Sequence, residues 1–239
     1  MLLITSASQA QPFSPEKAIT PHCSKAKQPY AISSGVAILH FCVIIKIVKG
    51  GICVKAWQHF KTITRHRWQV RRGCFKVGLI WQGLTHDLSK YTPTEFFVGA
   101  KYYQGNRSPN SAERVEKGYS LSWMHHKGRN RHHWEYWTDL SLETMVYSPV
   151  PMPRKFLVEM VMDRIAACKI YQGNAYTDAS ALIYLQKGVD RIRMHPQTQQ
   201  ELEYILSMLR DNGEKETFQY IKKEVLKGKP FPWEQEASM

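Results

Sequence analysis

Apolar residues along most of this chain recur at steps of three and four, with polar and charged residues between them. Between Lys55 and Leu84 the positions Trp57, Phe60, Ile63, Val70, Cys74, Val77 and Trp81 keep that spacing, the signature of a helix with one buried face. The row Trp57, Phe60, Ile63 is thus expected to be core, and His66 sits on the same face. Thr92, Pro93 and Glu95 read as N-cap, first helical residue and the return partner of a capping box. Gly105 to Ser111 reads as a loop. Ala112 onward runs helically towards Lys127, where Gly128 ends or kinks the helix. Ser148 to Pro153 is a proline-rich connector. Phe156, Met160, Ala167 and Ile170 mark another helix, with Asp163 on its apolar face and Glu159 one turn earlier. Helical patterns follow near Ala179 to Met194, Gln197 to Leu209 and Thr217 to Leu226, punctuated by Pro196 and Gly213. No strand-like alternation of any length appears, so the fold class is all-α.

Residues 1–53 break the pattern. They carry four of the 12 prolines and three of the 5 cysteines, and the apolar run Gly35 to Val48 is interrupted by His40 and Lys46. That run falls short of the roughly 20 apolar residues of a membrane-spanning helix. The opening MLLITSASQAQPF lacks the positive start and long apolar stretch of a signal peptide. Lys49, Gly50 and Gly51 are encodable by a ribosome-binding sequence, and Val54 by an alternative start codon. The expectation is a poorly ordered leader over 1–53, an over-extended reading frame, followed by a single helical domain over 54–239 with a C-terminal helical extension. A weak amphipathic or membrane-associated leader is the competing reading.

The 239 residues are 43% apolar and 22% charged, the composition of a globular domain with a buried core. A net charge of +13 favours anionic partners, whether nucleic acid, lipid surface or phosphorylated substrate. The cysteines form no CxxC pair, which argues against a disulfide framework or a zinc–thiolate cluster and suits a reducing cytoplasm. No membrane partner is expected.

Six of the 10 histidines lie between His66 and His133, in the company of carboxylates on apolar faces. Buried ionised groups need partners, and a cation can satisfy several at once. The order His66, His86-Asp87, two histidines of the HHKGRNRHHWEYW segment and Asp163 resembles that of the HD superfamily of helical metal-dependent phosphohydrolases. GLTHDLSKY is similar to its HD-x-x-K form, in which the lysine contacts substrate phosphate. The resemblance implies an HD-like helical bundle, metal ligands at His86 and Asp87, and a phosphate contact at Lys90. His66 lies only twenty positions before His86, a tighter interval than many such enzymes show. Across Lys55 to about Leu209, THDLSKYTPTEF and HHKGRNRHHWEYW resemble a bacterial and phage family classed as a domain of unknown function.

On a continuous helix His126 eclipses His133, and His125 eclipses His132. An inward row through Val115, Tyr119 and Ser122 selects His126 and His133; a break at Gly128 would open the choice to His125 or His132. Each residue also has a blander reading. The clustered histidines suit a basic face with Trp134, Tyr136 and Trp137 stacking bases. His66 suits a satisfied core histidine, Asp163 an ion-pair partner and Lys90 a solvated lysine. His22, His40, His59 and His195 have no supporting constellation.

The expected function is metal-dependent hydrolysis of phosphate esters, nucleotides among them. His66, His86, Asp87, His126, His133 and Asp163 would bind divalent manganese, iron, cobalt or zinc, Asp87 and Lys90 would serve the chemistry, and Lys90, Arg129 and Asn130 would hold phosphate oxygens. The alternatives are a non-catalytic nucleic-acid-binding module and an HD-type di-iron oxygenase.

Overall fold

The computed structural model describes residues 50–188 and 193–236. Of the expected leader over residues 1–53, residues 1–49, with the whole apolar run Gly35 to Val48, lie outside the described residues.

The first helix, α1 (Gly50–Val77), is followed by α2 (Ile80–Thr85) and a 3-10 turn over Leu88–Tyr91. Then come α3 (Pro93–Lys101), α4 (Pro109–Lys117) and α5 (Leu121–Lys127). A short hairpin of β1 (Thr138–Leu140) and β2 (Tyr147–Pro149) leads into α6 (Arg154–Gln172), α7 (Ser180–Gln186), α8 (Pro196–Lys223) and α9 (Pro232–Glu236). Among the described residues the chain is all-α but for that hairpin, paired antiparallel with Asp139 opposite Ser148. Part of the expected proline-rich connector is therefore a strand, its proline tolerated because a two-stranded ribbon is all edge.

Helix α6 is the centre of the described core. Leu157, Val158, Met160, Val161, Met162, Ile165, Ala166 and Cys168 are all buried, so the helix is covered on nearly every side. It packs on α1, α7 and α8. From α1 the core takes Val70, Cys74 and Val77, and from α8 Leu202, Ile205, Leu206 and Leu209. Each such side chain contributes roughly 1.5–3 kcal/mol by leaving water. Glycines permit two close crossings. A Cβ on Gly73 would lie 2.8 Å from Met162 Sδ, and one on Gly99 would lie 2.3 Å from His59 Nε2. His59 is thus a packed histidine between α1 and α3, ringed by Phe96 and Tyr103; burial and the nearby Lys90 charge push its pKa down to about 4.

Several boundaries differ from the periodicity. The Lys55–Leu84 pattern is two helices, because Gly78 takes a left-handed φ of 91° and the Leu79 amide donates back to Cys74 O at 2.8 Å. The buried face holds for Ile63, Val70, Cys74 and Val77 but not at its ends: Trp57 is 58% exposed, Trp81 72% and Phe60 37%. Trp57 and Phe60 stack on each other instead, with centroids 5.6 Å apart. The expected helix from Ala112 to Lys127 is likewise two, separated at Gly118 (φ 81°). Helix α8 joins two expected helices through a kink at Gly213, φ 77°, ψ 176°.

Candidate metal centre

The centre is built where α1, α2, α3, α5 and α6 meet, and the connections matter as much as the helices. Helix α2 stops at Thr85, and Asp87 adopts a left-handed backbone, φ 53°, ψ 27°. Aspartate tolerates that region better than most residues, and such conformations cluster at functional sites. The reversal lets adjacent His86 and Asp87 face one point, which consecutive positions of a helix cannot do. Arg67 fixes the elbow from α1: its Nε donates to His86 O at 2.6 Å and its Nη2 to Leu84 O at 3.0 Å, while its guanidinium lies over Tyr91.

Asp87, fully buried, is the hub. Its Oδ2 lies 3.3 Å from His86 Nε2 and 3.8 Å from His66 Nε2. Asp163 Oδ1 closes that side, 2.8 Å from His66 Nε2 and 3.6 Å from His86 Nε2. On the other side, Asp87 Oδ1 lies 3.3 Å from His126 Nε2 and 3.5 Å from His132 Nε2, and His133 joins the same group. Two groups of potential ligands, His66–His86–Asp87–Asp163 and Asp87–His126–His132–His133, therefore share one carboxylate, each group with its donor atoms within 4.8 Å of one another.

Most of these atoms have charged neighbours but no aligned hydrogen bond of their own. Nε2 of His66, His86, His132 and His133 and both oxygens of Asp87 are buried without an aligned hydrogen bond, Lys90 Nζ pairing with Asp87 Oδ2 at 2.6 Å as a charge contact. Buried polar atoms are almost always satisfied, so six converging exceptions are the property that a bound cation resolves. Five imidazoles and two carboxylates, with no thiolate, form a donor set suited to manganese, iron, cobalt or zinc. Cys74 and Cys168 are buried and free; burial pushes the Cys74 thiol up to about 12, so it stays protonated.

The far sides of the rings are held. His86 Nδ1 and His132 Nδ1 both face Glu159 Oε1, at 2.9 and 3.1 Å. His126 Nδ1 faces Glu95 Oε2 at 2.8 Å, and His125 Nδ1 faces Glu95 Oε1 at 2.6 Å. Carboxylates behind ligating histidines fix ring tautomer and aim. The electrostatics follow. Burial opposes the charge on Asp87, yet His86, Lys90, His126 and His132 hold its carboxyl well below the usual range; Asp163, equally opposed by burial, is held down by His66 and His86. Burial acts against protonation of His86 too, but Asp87, Asp163 and Glu159 lift its pKa to about 10. Burial, then the neighbouring His132 and His126, push His133 well below the ordinary histidine value.

A family model described as a family of unknown function (DUF5662) matches residues 55–208. The chain belongs to that family. No curated protein and no solved structure matches it significantly. The DUF5662 match spans every residue of the centre from His66 to Asp163, and ends within α8. Phe218, Ile221, Val225 and Phe231 lie beyond it, yet they are part of the same core.

Set against the expectations, all six expected ligands meet at this one place, and His132 joins them. The helix breaks at Gly128, so His126 and His133 do not eclipse; His132 and His133 sit on the turn after α5, ring centroids 4.1 Å apart. Val115, at 81% exposed, and Tyr119, at 52%, point outward, so the row that selected His126 and His133 is not an inward row. Only His125 of the four turns away. Thr92 does cap α3, but its hydroxyl donates to Ser89 O at 2.7 Å and Glu95 makes no return bond; Glu95 holds histidines instead.

The expected phosphate contacts divide. Lys90 reaches the centre. Asn130 is buried, its amide donating to Ser89 Oγ and His126 O, each at 2.8 Å, and Arg129 is exposed and donates to His125 O at 3.3 Å. Both secure the turn rather than face the cluster. Of the aromatic residues expected as a stacking face, Trp134 and Trp137 pack on the core, and Trp137 Nε1 donates to Arg131 O at 2.7 Å. Sequence reading missed Arg67, Glu95 as a histidine holder and the role of Glu159, which was visible only as an acid on an apolar face.

Proposed function

We propose that this protein is a metal-dependent hydrolase acting on phosphate esters, with nucleotides among its candidate substrates and the cytoplasm as its setting. One observation carries the reading: the two oxygens of Asp87 face two groups of histidines, and the inward Nε2 atoms of His66, His86, His132 and His133 are buried without an aligned partner. His66, His86 and Asp163 would hold one divalent ion, His126, His132 and His133 the other, with Asp87 between them. Such ions supply acidity to bound water and neutralise charge on a transferring phosphoryl group.

The chain's own residues would do the rest. Lys90, partly exposed beside Asp87, is placed to take a phosphate oxygen. Burial opposes its charge, but Asp87 and Asp163 hold its pKa above the usual lysine value, so it stays an ammonium through the physiological range. Asp163, half-buried, offers its second oxygen as proton acceptor. The motif order shared with HD phosphohydrolases and the charge of +13 agree with an anionic substrate.

The test is hydrolysis of p-nitrophenyl phosphate and a nucleotide panel by protein loaded with Mn2+ or Co2+. Activity should vanish with chelator and fall at least about 100-fold in Asp87→Asn. Equal activity in chelator-treated protein would end the reading. Two alternatives have their own signatures. A nucleic-acid module would bind oligonucleotides with steep salt dependence and survive chelator, and an oxygenase would consume O2 only in its iron form.

A further inference from the structure

We propose that Glu159 is a positioning residue shared by both metal positions, so that one carboxylate oxygen couples their loading. This rests on the metal-centre reading above and goes beyond it, because it concerns how the two positions depend on each other.

The geometry is a closed ring of four groups. Glu159 Oε1 lies 2.9 Å from His86 Nδ1 and 3.1 Å from His132 Nδ1. From the opposite side Asp87 meets the same two rings, Oδ2 lying 3.3 Å from His86 Nε2 and Oδ1 3.5 Å from His132 Nε2. The rings lie 4.4 Å apart, and all four groups are buried. An ionised carboxylate only accepts hydrogen bonds. Both Nδ1 atoms must therefore carry protons, so that Nε2, the nitrogen facing Asp87, is the one each ring has for a metal. Of the two groups that share Asp87, His86 belongs to one and His132 to the other, and the same two rings also group with Glu159 itself; with Glu159 as acceptor, a single oxygen sets the tautomer of one ligand on each side. Glu159 is also one turn before Asp163 on α6, and this rigid helix thus supplies both a direct ligand and the acceptor behind two others.

Glu95 is the internal contrast. Its two oxygens hold His126 and His125, and His125 is outside both ligand groups. Glu95 serves one position; Glu159 serves two.

Calorimetric titration of metal-free full-length protein with Mn2+ reads the difference. Wild type should show two binding steps. Glu159→Gln, of the same shape but uncharged, should weaken both steps by about 10–100-fold, whereas Glu95→Gln should weaken one by that factor. If Glu159→Gln weakens one step or none while wild type binds two ions, the coupling is wrong and the metal centre stands. If wild type takes up no Mn2+, both fall together. A readout independent of any variant is the 15N tautomer pattern of the Zn2+-loaded protein. His86 and His132 should both carry the proton on Nδ1; metal or proton on the other arrangement in either ring, including a third ion held by Glu159 itself, would overturn the proposal.

Discussion

The two halves of the centre are made in different ways. His66 and Asp163 stand on two long packed helices of the core, α1 and α6, where the backbone is held by Val70, Cys74, Leu157 and Val161. His132 and His133 stand on an irregular turn after a helix of only seven residues, α5. There the His132 ring is aimed by Glu159, and the His126 ring at the end of α5 by Glu95 and the Asn130 amide, not by the backbone alone. One half is rigid because of apolar packing, the other because of hydrogen bonds to buried charge. Such polar networks are strong when complete and fail when one member is lost. The turn-borne half should therefore be the more sensitive to conservative changes behind the ligands.

That comparison can be broken by single substitutions. The largest effect is expected from removing ligands. His66→Ala and the pair His132→Ala with His133→Ala should each lower bound metal from about two ions per chain to about one, read by elemental analysis of protein equilibrated with Mn2+. If either variant empties both positions, the halves are not separable as drawn. Next comes Gly99→Ala, whose methyl meets the His59 ring between α1 and α3. Overpacking there should cost about 1–3 kcal/mol in urea denaturation, and because α3 carries Glu95 it should weaken only the turn-borne position. The smallest effect is expected for Trp57→Ala. Its ring is mainly in solvent, so stability should change by no more than about 0.5 kcal/mol; a loss of several kcal/mol would restore the row Trp57, Phe60, Ile63 to the core. Across all wild-type and variant proteins, metal affinity should fall as pH is lowered, since protons compete for the imidazoles and the carboxylates.

The same contrast explains what could be read from the residues alone. The all-α class and the central helix around Met160 follow from periodicity, because long helices project side chains at fixed intervals, and the grouping of His66, His86, Asp87 and Asp163 follows from motif order, His86 and Asp87 lying on a bend. His132 does not. Its aim depends on Gly128 ending α5 and on Glu159, and nothing local to HHKGRNRHH marks which nitrogens find a distant carboxylate. Glu95 in particular fits a capping box by spacing, and only the tertiary fold turns its carboxylate to His125 and His126. The exposed rings of Trp57, Phe60 and Trp81 share a cause: a three-to-four spacing marks a face but not how far a neighbouring helix extends to cover it. Arg67 was equally hidden, since its role lies in two backbone carbonyls of a bend that the left-handed Asp87 creates.

The most direct measurement is an anomalous-difference map of crystals grown with Mn2+. The account predicts a pair of peaks, one between His66, His86 and Asp163 and one among His126, His132 and His133, each nearest a different oxygen of Asp87. A map with no density around Asp87, or with density only at exposed carboxylates elsewhere, would contradict it.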